Sequence, residues 1–160
     1  MMNKKIVDKK HLKFALVLLV LLLCAACGPK LIRGQPPLVR MNELSHQDGV
    51  IKLELRMRNV NGLLLEVQSI KFTMTMNDAE SFTYKGPVNT KLIANGAETW
   101  SMQVDESQAL HELFDSLESG DVISVPYALK GSVTTLNEGT LRFEHEGHIY
   151  PLPGRLGHFR

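Results

Sequence analysis

Three side chains that could form a hydrolytic set lie four residues apart: Ser107, His111 and Asp115. A serine nucleophile, a histidine base and a carboxylate that orients the histidine are the groups that acyl transfer requires. On a helix, four-residue spacing places all three on one exposed stripe, whereas a working set holds its nucleophile on a turn beside an oxyanion hole. The sequence also lacks a Gly-x-Ser-x-Gly motif. We therefore predict a solvated helix face, no catalytic residue and no enzymatic activity.

Histidines and carboxylates are the other candidates for chemistry, as metal ligands. His145 and His148 are the one close histidine pair after residue 26, but residues three apart on a strand point to opposite faces. They would converge on zinc only if Gly147 made a turn. Acidic residues cluster between 105 and 121 without the Asp-x-Asp-x-Asp-Gly pattern of a calcium loop. We assign the first of these acids to the helix dipole and the rest to a solvated surface, and predict no metal and no cofactor.

Cys27 stands at the end of a run with a distinctive order. Five lysines fall within the first 13 residues, ten apolar residues occupy positions 14–23, and Ala25 and Ala26 precede the cysteine. Basic, apolar and then small residues are the order of a secretory signal peptide. The apolar run is shorter than the roughly 20 residues that cross a bilayer. This order predicts a signal peptide over residues 1–26.

A cysteine directly after those small residues resembles the lipobox of bacterial lipoproteins. The resemblance implies cleavage before Cys27, diacylglycerol on its sulfur and an acyl chain on its new amino group. Cys24 departs from the family, which usually has leucine there. Gly28 is not aspartate, which implies sorting to the outer membrane of a two-membrane cell, facing the periplasm. Several acyl chains anchor a protein durably. The alternatives are an ordinary secreted protein cut nearby and an uncleaved anchor.

Composition limits the partners of the part that follows the leader. The leader holds five of the 18 Lys and Arg and one of the 17 acidic residues, so the remaining 134 residues carry 13 basic and 16 acidic residues, a net charge of −3. This balance argues against nucleic acid and against electrostatic docking on anionic lipids. The length suits one domain. With Cys27 lipidated, no cysteine remains for thiol or disulfide chemistry.

Residue patterns predict a mainly β domain. Residues 27–38 are rich in Pro and Gly and read as an extended tether. Ile51, Leu53, Leu55 and Met57 alternate with charged residues, which is typical of a half-buried strand. A phase shift near 68–69 suggests a β-bulge. Further alternating runs follow at 81–84, 98–104, 123–135 and 141–143, with Pro126 indicating an edge strand or a bulge.

One helix interrupts these strands. Apolar residues at helical spacing predict it over about 106–118, with a capping box from Asp105 to Gln108 and a C-cap at Gly120. About seven short strands with one helix indicate an immunoglobulin- or fibronectin III-like antiparallel β-sandwich over residues 39–148. The Pro- and Gly-rich tail, 149–160, predicts no regular structure.

This layout resembles the water-stress and hypersensitive-response domain of the late-embryogenesis-abundant type 2 (LEA14-like) family. The resemblance covers about Val50 to Phe143 and includes an Asn-rich turn after the first alternating strand, a Gly-containing turn, a helix and the segment Val125–Gly131. Val60 departs from the family, which has proline between the two asparagines, Asn59 and Asn61. The resemblance implies stress protection, particularly against drying or osmotic stress.

We therefore expect a lipid-anchored, non-enzymatic module whose partner is the membrane and an envelope protein or lipid. The alternative is an envelope-assembly or lipid-binding factor with an apolar site in the sandwich. Methionines on the apolar faces fit either an acyl pocket or ordinary core, and we favour core. Arg155, Phe159 and Arg160 are the tail residues expected to dock a partner. The sequence leaves the oligomeric state open.

Overall fold

The computed structural model describes residues 32–77 and 79–160, and this part of the chain forms two antiparallel sheets and one helix. The elements are β1 (Leu38–Gln47), β2 (Val50–Arg58), β3 (Leu65–Met76), β4 (Ala79–Leu92), β5 (Ala97–Asp105), α1 (Gln108–Ser119), β6 (Val125–Thr135), β7 (Gly139–Ile149) and β8 (His158–Phe159). The sheet orders are β5-β2-β1-β8 and β4-β3-β6-β7. The predicted antiparallel β-sandwich is confirmed. The predicted signal peptide, Cys27 and Gly28 lie outside the described residues.

The core lies between the two sheets and is filled by alternate residues of each strand. In β2, every apolar residue of the predicted alternation is fully buried. The methionines at 57, 74, 76 and 102 all belong to the same core cluster. The interpretation of these residues as core is therefore confirmed.

Two strands were not predicted, and each has a physical reason. In β1, the register against β2 shifts between Met41 and Glu43, so the apolar positions change phase within the strand. In the tail, Phe159 is fully buried because β8 pairs with β1, although only two residues form the strand. The prediction that residues 149–160 lack regular structure was wrong, and β1 begins at Leu38, the last residue of the predicted tether.

The second sheet follows the sequence more closely. The predicted bulge is confirmed as a register shift between Val67 and Ser69. The short strand expected at 81–84 is the middle of β4, which continues to Leu92. Because of Pro126, β6 was expected to be an edge strand or to contain a bulge. It pairs with both β3 and β7, and its register against β7 is continuous past Pro126. Pro126 is tolerated because it is the second residue of β6, and near the start of a strand the N–H that proline lacks costs little.

α1 begins later than predicted. Its N-cap is Ser107, whose Oγ accepts a hydrogen bond from Leu110 N at 3.3 Å, so the predicted capping box from Asp105 was wrong. Gly120, with φ of 82°, ends the helix as predicted. The first turn holds no acidic residue, so the assignment of the early acids to the helix dipole was also wrong. The buried stripe of the helix is Leu110, Phe114 and Leu117.

Two asparagines hold the turn after β2. Asn59 is fully buried, and its Nδ2 donates to the carbonyl oxygens of Leu63 at 2.7 Å and Leu92 at 3.0 Å. Its Oδ1 accepts from Asn61 N at 2.9 Å. Asn61 in turn hydrogen-bonds both backbone groups of Gln35, each at 2.9 Å. The segment before β1 is therefore fixed to the sandwich from residue 35, and the turn needs no proline at position 60.

Candidate functional site

The hydrolytic arrangement considered from the sequence is not assembled. Ser107 Oγ is occupied as the cap of α1, and the distance between His111 Nε2 and Asp115 Oδ2 is 3.5 Å. The other ring nitrogen of His111 lies 3.2 Å from Glu106 Oε2. His111 is thus placed among carboxylates and not beside a nucleophile. The absence of catalytic residues remains a prediction.

A different set of residues meets where β1, the end of β5 and α1 come together. His46 Nδ1 lies 3.1 Å from Glu106 Oε1, and His111 Nδ1 lies 3.2 Å from the other oxygen of the same carboxylate. One ligand atom from each of the three side chains falls within 4.8 Å of the others. We call His46, Glu106 and His111 the histidine cluster. His46 is 60 residues from Glu106 along the chain, so the sequence spacing gives no signal for this cluster.

Local structure brings the cluster together. Asp48 and Gly49 form the two-residue turn between β1 and β2, with φ values of 52° and 77°. Glu106 N donates to the Gly49 carbonyl at 2.9 Å, which holds the end of β5 beside that turn. The side chain of Glu106 is only 4% exposed, and within the described residues its Oε1 has no hydrogen-bond partner despite the nearby His46 ring. A buried carboxylate oxygen without a partner is costly.

Each histidine also has a carboxylate on its outer side. His46 Nε2 lies 3.1 Å from Glu118 Oε1, and His111 Nε2 faces Asp115. Glu118 Oε1 also accepts a hydrogen bond from Gly157 N at 2.6 Å. The two rings therefore direct Nδ1 inward to Glu106 and Nε2 outward to a second carboxylate.

The C-terminal tail closes over this region. Phe159 stacks on Phe114 of α1, with ring centroids 5.1 Å apart, and lies 5.7 Å from the His46 ring. His46 N donates to the Gly157 carbonyl at 2.9 Å. The tail thus supports one side of the histidine cluster with apolar and backbone contacts.

The tail residues predicted to dock a partner have different environments. Phe159 is buried in the core, so it cannot meet a partner in this conformation, and that part of the prediction was wrong. Arg155 Nη2 and His158 Nδ1 lie 3.2 and 2.8 Å from Glu43 Oε1. The His158 hydrogen bond, followed by the charge of Arg155, holds the pKa of Glu43 below its usual range, against the opposite effect of partial burial. Docking through Arg155 and Arg160 remains a prediction.

His145 and His148 do not meet. Both lie in β7, where the half-buried His145 ring is 6.0 Å from Tyr127, and the exposed His148 ring is 6.3 Å from Tyr150. The alternation of the strand separates them, as predicted. The prediction that no metal binds at this pair remains a prediction.

Comparison with known proteins defines the class by fold alone. No protein-family model matches the chain, and no curated protein matches it. A solution structure of an Arabidopsis thaliana protein is similar, with a TM-score of 0.54 and 14% identity over 98% of this chain and 95% of that one. A crystal structure of an Archaeoglobus fulgidus protein has a TM-score of 0.45 and 12% identity, over 77% and 98% of the two chains. A putative late embryogenesis abundant protein has a TM-score of 0.43 and 13% identity, over 91% and 90%.

The chain is therefore a two-sheet antiparallel β-sandwich protein with one helix in its described part. Within residues 32–77 and 79–160, no helix is both long enough and apolar enough to cross a bilayer.

Proposed function

We propose that this protein is a non-enzymatic protective or binding module of the cell envelope, anchored to the outer membrane through lipid on Cys27. The observation that carries the proposal is the leader, in which lysines, an apolar run and small residues end at Cys27. The resemblance of residues 50–143 to the water-stress domain supports a role in tolerance of drying or osmotic stress. The sandwich fold is the one that this resemblance implies.

The geometry around the first described residues supports anchoring at one end of the sandwich. Gly62 N donates to the Ile32 carbonyl at 3.0 Å, so the chain enters beside the loop that follows β2. Cys27 lies five positions before Ile32, a span of at most ~17 Å when extended. The lipid would hold this end close to the bilayer surface, nearer than a free tether through residue 38 would allow.

The loops at that end also carry apolar side chains. We call the loops 59–64, 93–96 and 136–138 the Asn59 end, because hydrogen bonds from Asn59 and Asn137 join them. Four large side chains there are at least 36% exposed: Leu63, Leu64, Ile93 and Leu136. Apolar side chains next to a lipid anchor add area that can enter the interface between head groups and acyl chains.

The filled core weighs against the alternative of a lipid-binding factor with an internal site. Met57, Met74 and Met76 pack in the sandwich interior with 2% exposure or less. An acyl chain would have to displace packed core, which costs free energy. Copurified acyl lipid that survives delipidating washes would favour the alternative.

Survival of a deletion strain tests the proposal. The strain would be compared with strains that carry the intact gene or Cys27→Ser through drying and hyperosmotic shock. We expect only the intact gene to restore survival. Immunoblots must show equal amounts of both proteins, so that loss of anchoring is separated from loss of protein. Normal survival of the deletion strain under both stresses would contradict the protective role.

A further inference from the structure

We propose that the histidine cluster is a binding site for a divalent transition-metal ion of the zinc class. His46 Nδ1, the Glu106 carboxylate and His111 Nδ1 would be its protein ligands. The proposal is independent of the lipid anchor and of the role in stress.

The first argument is the direction of the ring nitrogens. Outer carboxylates face Nε2 of both histidines, at 3.1 Å for His46 and 3.5 Å for His111. A neutral histidine that donates Nε2–H outward presents a lone pair on Nδ1. Two such lone pairs would then face the negative Glu106 carboxylate, which is unfavourable unless a cation lies between them. A carboxylate that orients the far nitrogen of a ligating histidine is the usual outer shell of a metal site.

The second argument is the carboxylate itself. The Glu106 side chain is 96% buried, since only 4% is exposed, and its Oε1 is aimed into the cluster without a hydrogen-bond partner among the described residues. No lysine or arginine forms an ion pair with it in the described part of the chain. A bound cation would supply the missing partner and the missing charge.

The dimensions also suit a small ion. Two ligands about 2.0–2.1 Å from a tetrahedral zinc ion are about 3.3 Å from each other. His46 Nδ1 lies 3.1 Å from Glu106 Oε1 and His111 Nδ1 lies 3.2 Å from Glu106 Oε2, so each ring nitrogen is at about this separation from one of the two carboxylate oxygens. The widest separation among the three ligand atoms, up to 4.8 Å, would have to shorten. His111 can supply this movement because its side chain is 56% exposed.

The ligand types select the class of ion. Two imidazoles and one carboxylate suit zinc and its neighbours, whereas calcium and magnesium prefer a shell of oxygen atoms. Three protein ligands leave a position open on the exposed side, next to His111. The ion would link His46 of β1 to Glu106 and to His111 of α1. Because His46 Nε2 also faces Glu118 Oε1, which accepts a hydrogen bond from Gly157 N, the tail would be connected to the site as well.

Zinc titration of the full-length chain in detergent tests the proposal. The protein should carry no histidine tag and should be treated with a chelator and dialysed first. Calorimetry should show one site per chain, and Tm should rise as zinc increases, because an ion that binds only the folded state stabilises it. Cobalt should bind the same site and give a visible absorption band.

Variants separate this site from surface binding. His111→Gln should weaken zinc affinity at least tenfold, and Asp115→Asn should weaken it less, while both remain folded because these side chains are more than half exposed. His148→Gln on β7 is the matched control and should bind as the natural protein does. Absence of zinc binding, or equal affinity in His111→Gln, would overturn the proposal. The three side chains would then form only a hydrogen-bonded network. Loss of affinity in the control would assign the ion to the surface and overturn it equally.

Discussion

The side chain of Asn59 offers a sharp test of how the Asn59 end is held together. Its Nδ2 donates to three backbone carbonyls, those of Leu63, Leu92 and Ile93, at 2.7, 3.0 and 3.1 Å. Its Oδ1 accepts from the backbone and side-chain nitrogens of Asn61, at 2.9 and 3.0 Å. One buried amide therefore connects the loops that follow β2 and β4.

Asn59→Ala removes all of these bonds and leaves carbonyl oxygens buried. The two N–H protons of the amide are shared among the three carbonyls, so the five contacts count as about three hydrogen bonds at ~1 kcal/mol each. With ~1–3 kcal/mol more for one carbonyl that finds no water, the loss is about 4–6 kcal/mol. A domain of this size has a free energy of unfolding of about 5–15 kcal/mol, so the loss is a large share. Asn59→Asp keeps the size but removes the donor, and it should destabilise at least as much.

Urea denaturation followed by circular dichroism would measure this loss in the free energy of unfolding. Asn137→Ala is the control, because its side chain also donates to a loop carbonyl, Leu64 O at 2.7 Å, but in an exposed position. We expect the control to lose less than ~1 kcal/mol. A loss below ~1 kcal/mol in Asn59→Ala would refute the reasoning, since it would mean that water replaces the amide.

Three further predictions concern the tail. Phe159→Ala should lower the free energy of unfolding by about 3–5 kcal/mol because the ring is fully buried. Leu156→Ala should change it by less than ~0.5 kcal/mol because that side chain is 87% exposed, and equal effects of the two variants would contradict a docked tail. Gly157→Ala should expose the tail to limited proteolysis, because a Cβ would lie 2.7 Å from a β1 carbonyl. Gly154→Ala should do so much less, because both glycines have a positive φ but the Gly154 Cβ would meet nothing within 4 Å. The lowered pKa of Glu43 contributes stability that is fully present above the unfolded pKa of about 4.3 and is lost as pH falls through the folded pKa. Glu43→Gln should therefore flatten the acid limb of a curve of unfolding free energy against pH, and an unchanged acid limb would contradict this role of Glu43.

The parts of the fold that were predictable have a local signal. From Ile51 onward β2 alternates apolar and charged residues, and the four apolar residues of that alternation are in the core. The bulge in β3 was visible as a phase shift, and Gly120 marked the end of α1. In each case one segment carries the information by itself.

β1 could also have been found, from a different signal. Asp48-Gly49 before an alternating strand is a strong sign of a two-residue hairpin, and its first strand would then be residues 38–47. The register shift near Met41 hid the alternation that sequence analysis relies on. β8 had no such signal, because its two residues are held by contacts of Phe159 with distant parts of the chain.

The histidine cluster, like β8, depends on contacts between distant parts of the chain. The sequence pattern groups His111 with Ser107 and Asp115 along the helix. In space its neighbours are Glu106 and His46. Glu106 was assigned to the helix dipole, although it precedes the N-cap Ser107 and turns inward. The β1–β2 hairpin and the register of β5 against β2 bring His46 to it. The hairpin has a signal in Asp48-Gly49, but the register of β5 has none in the sequence.

Mass spectrometry of the N-terminal peptide, on protein taken from the membrane fraction, tests the central claim most directly. We predict a peptide that begins at Cys27, with diacylglycerol on the sulfur and an acyl chain on the amino group, and none of these modifications in Cys27→Ser. A mature protein that begins elsewhere, or an unmodified Cys27 in the soluble fraction, would contradict it.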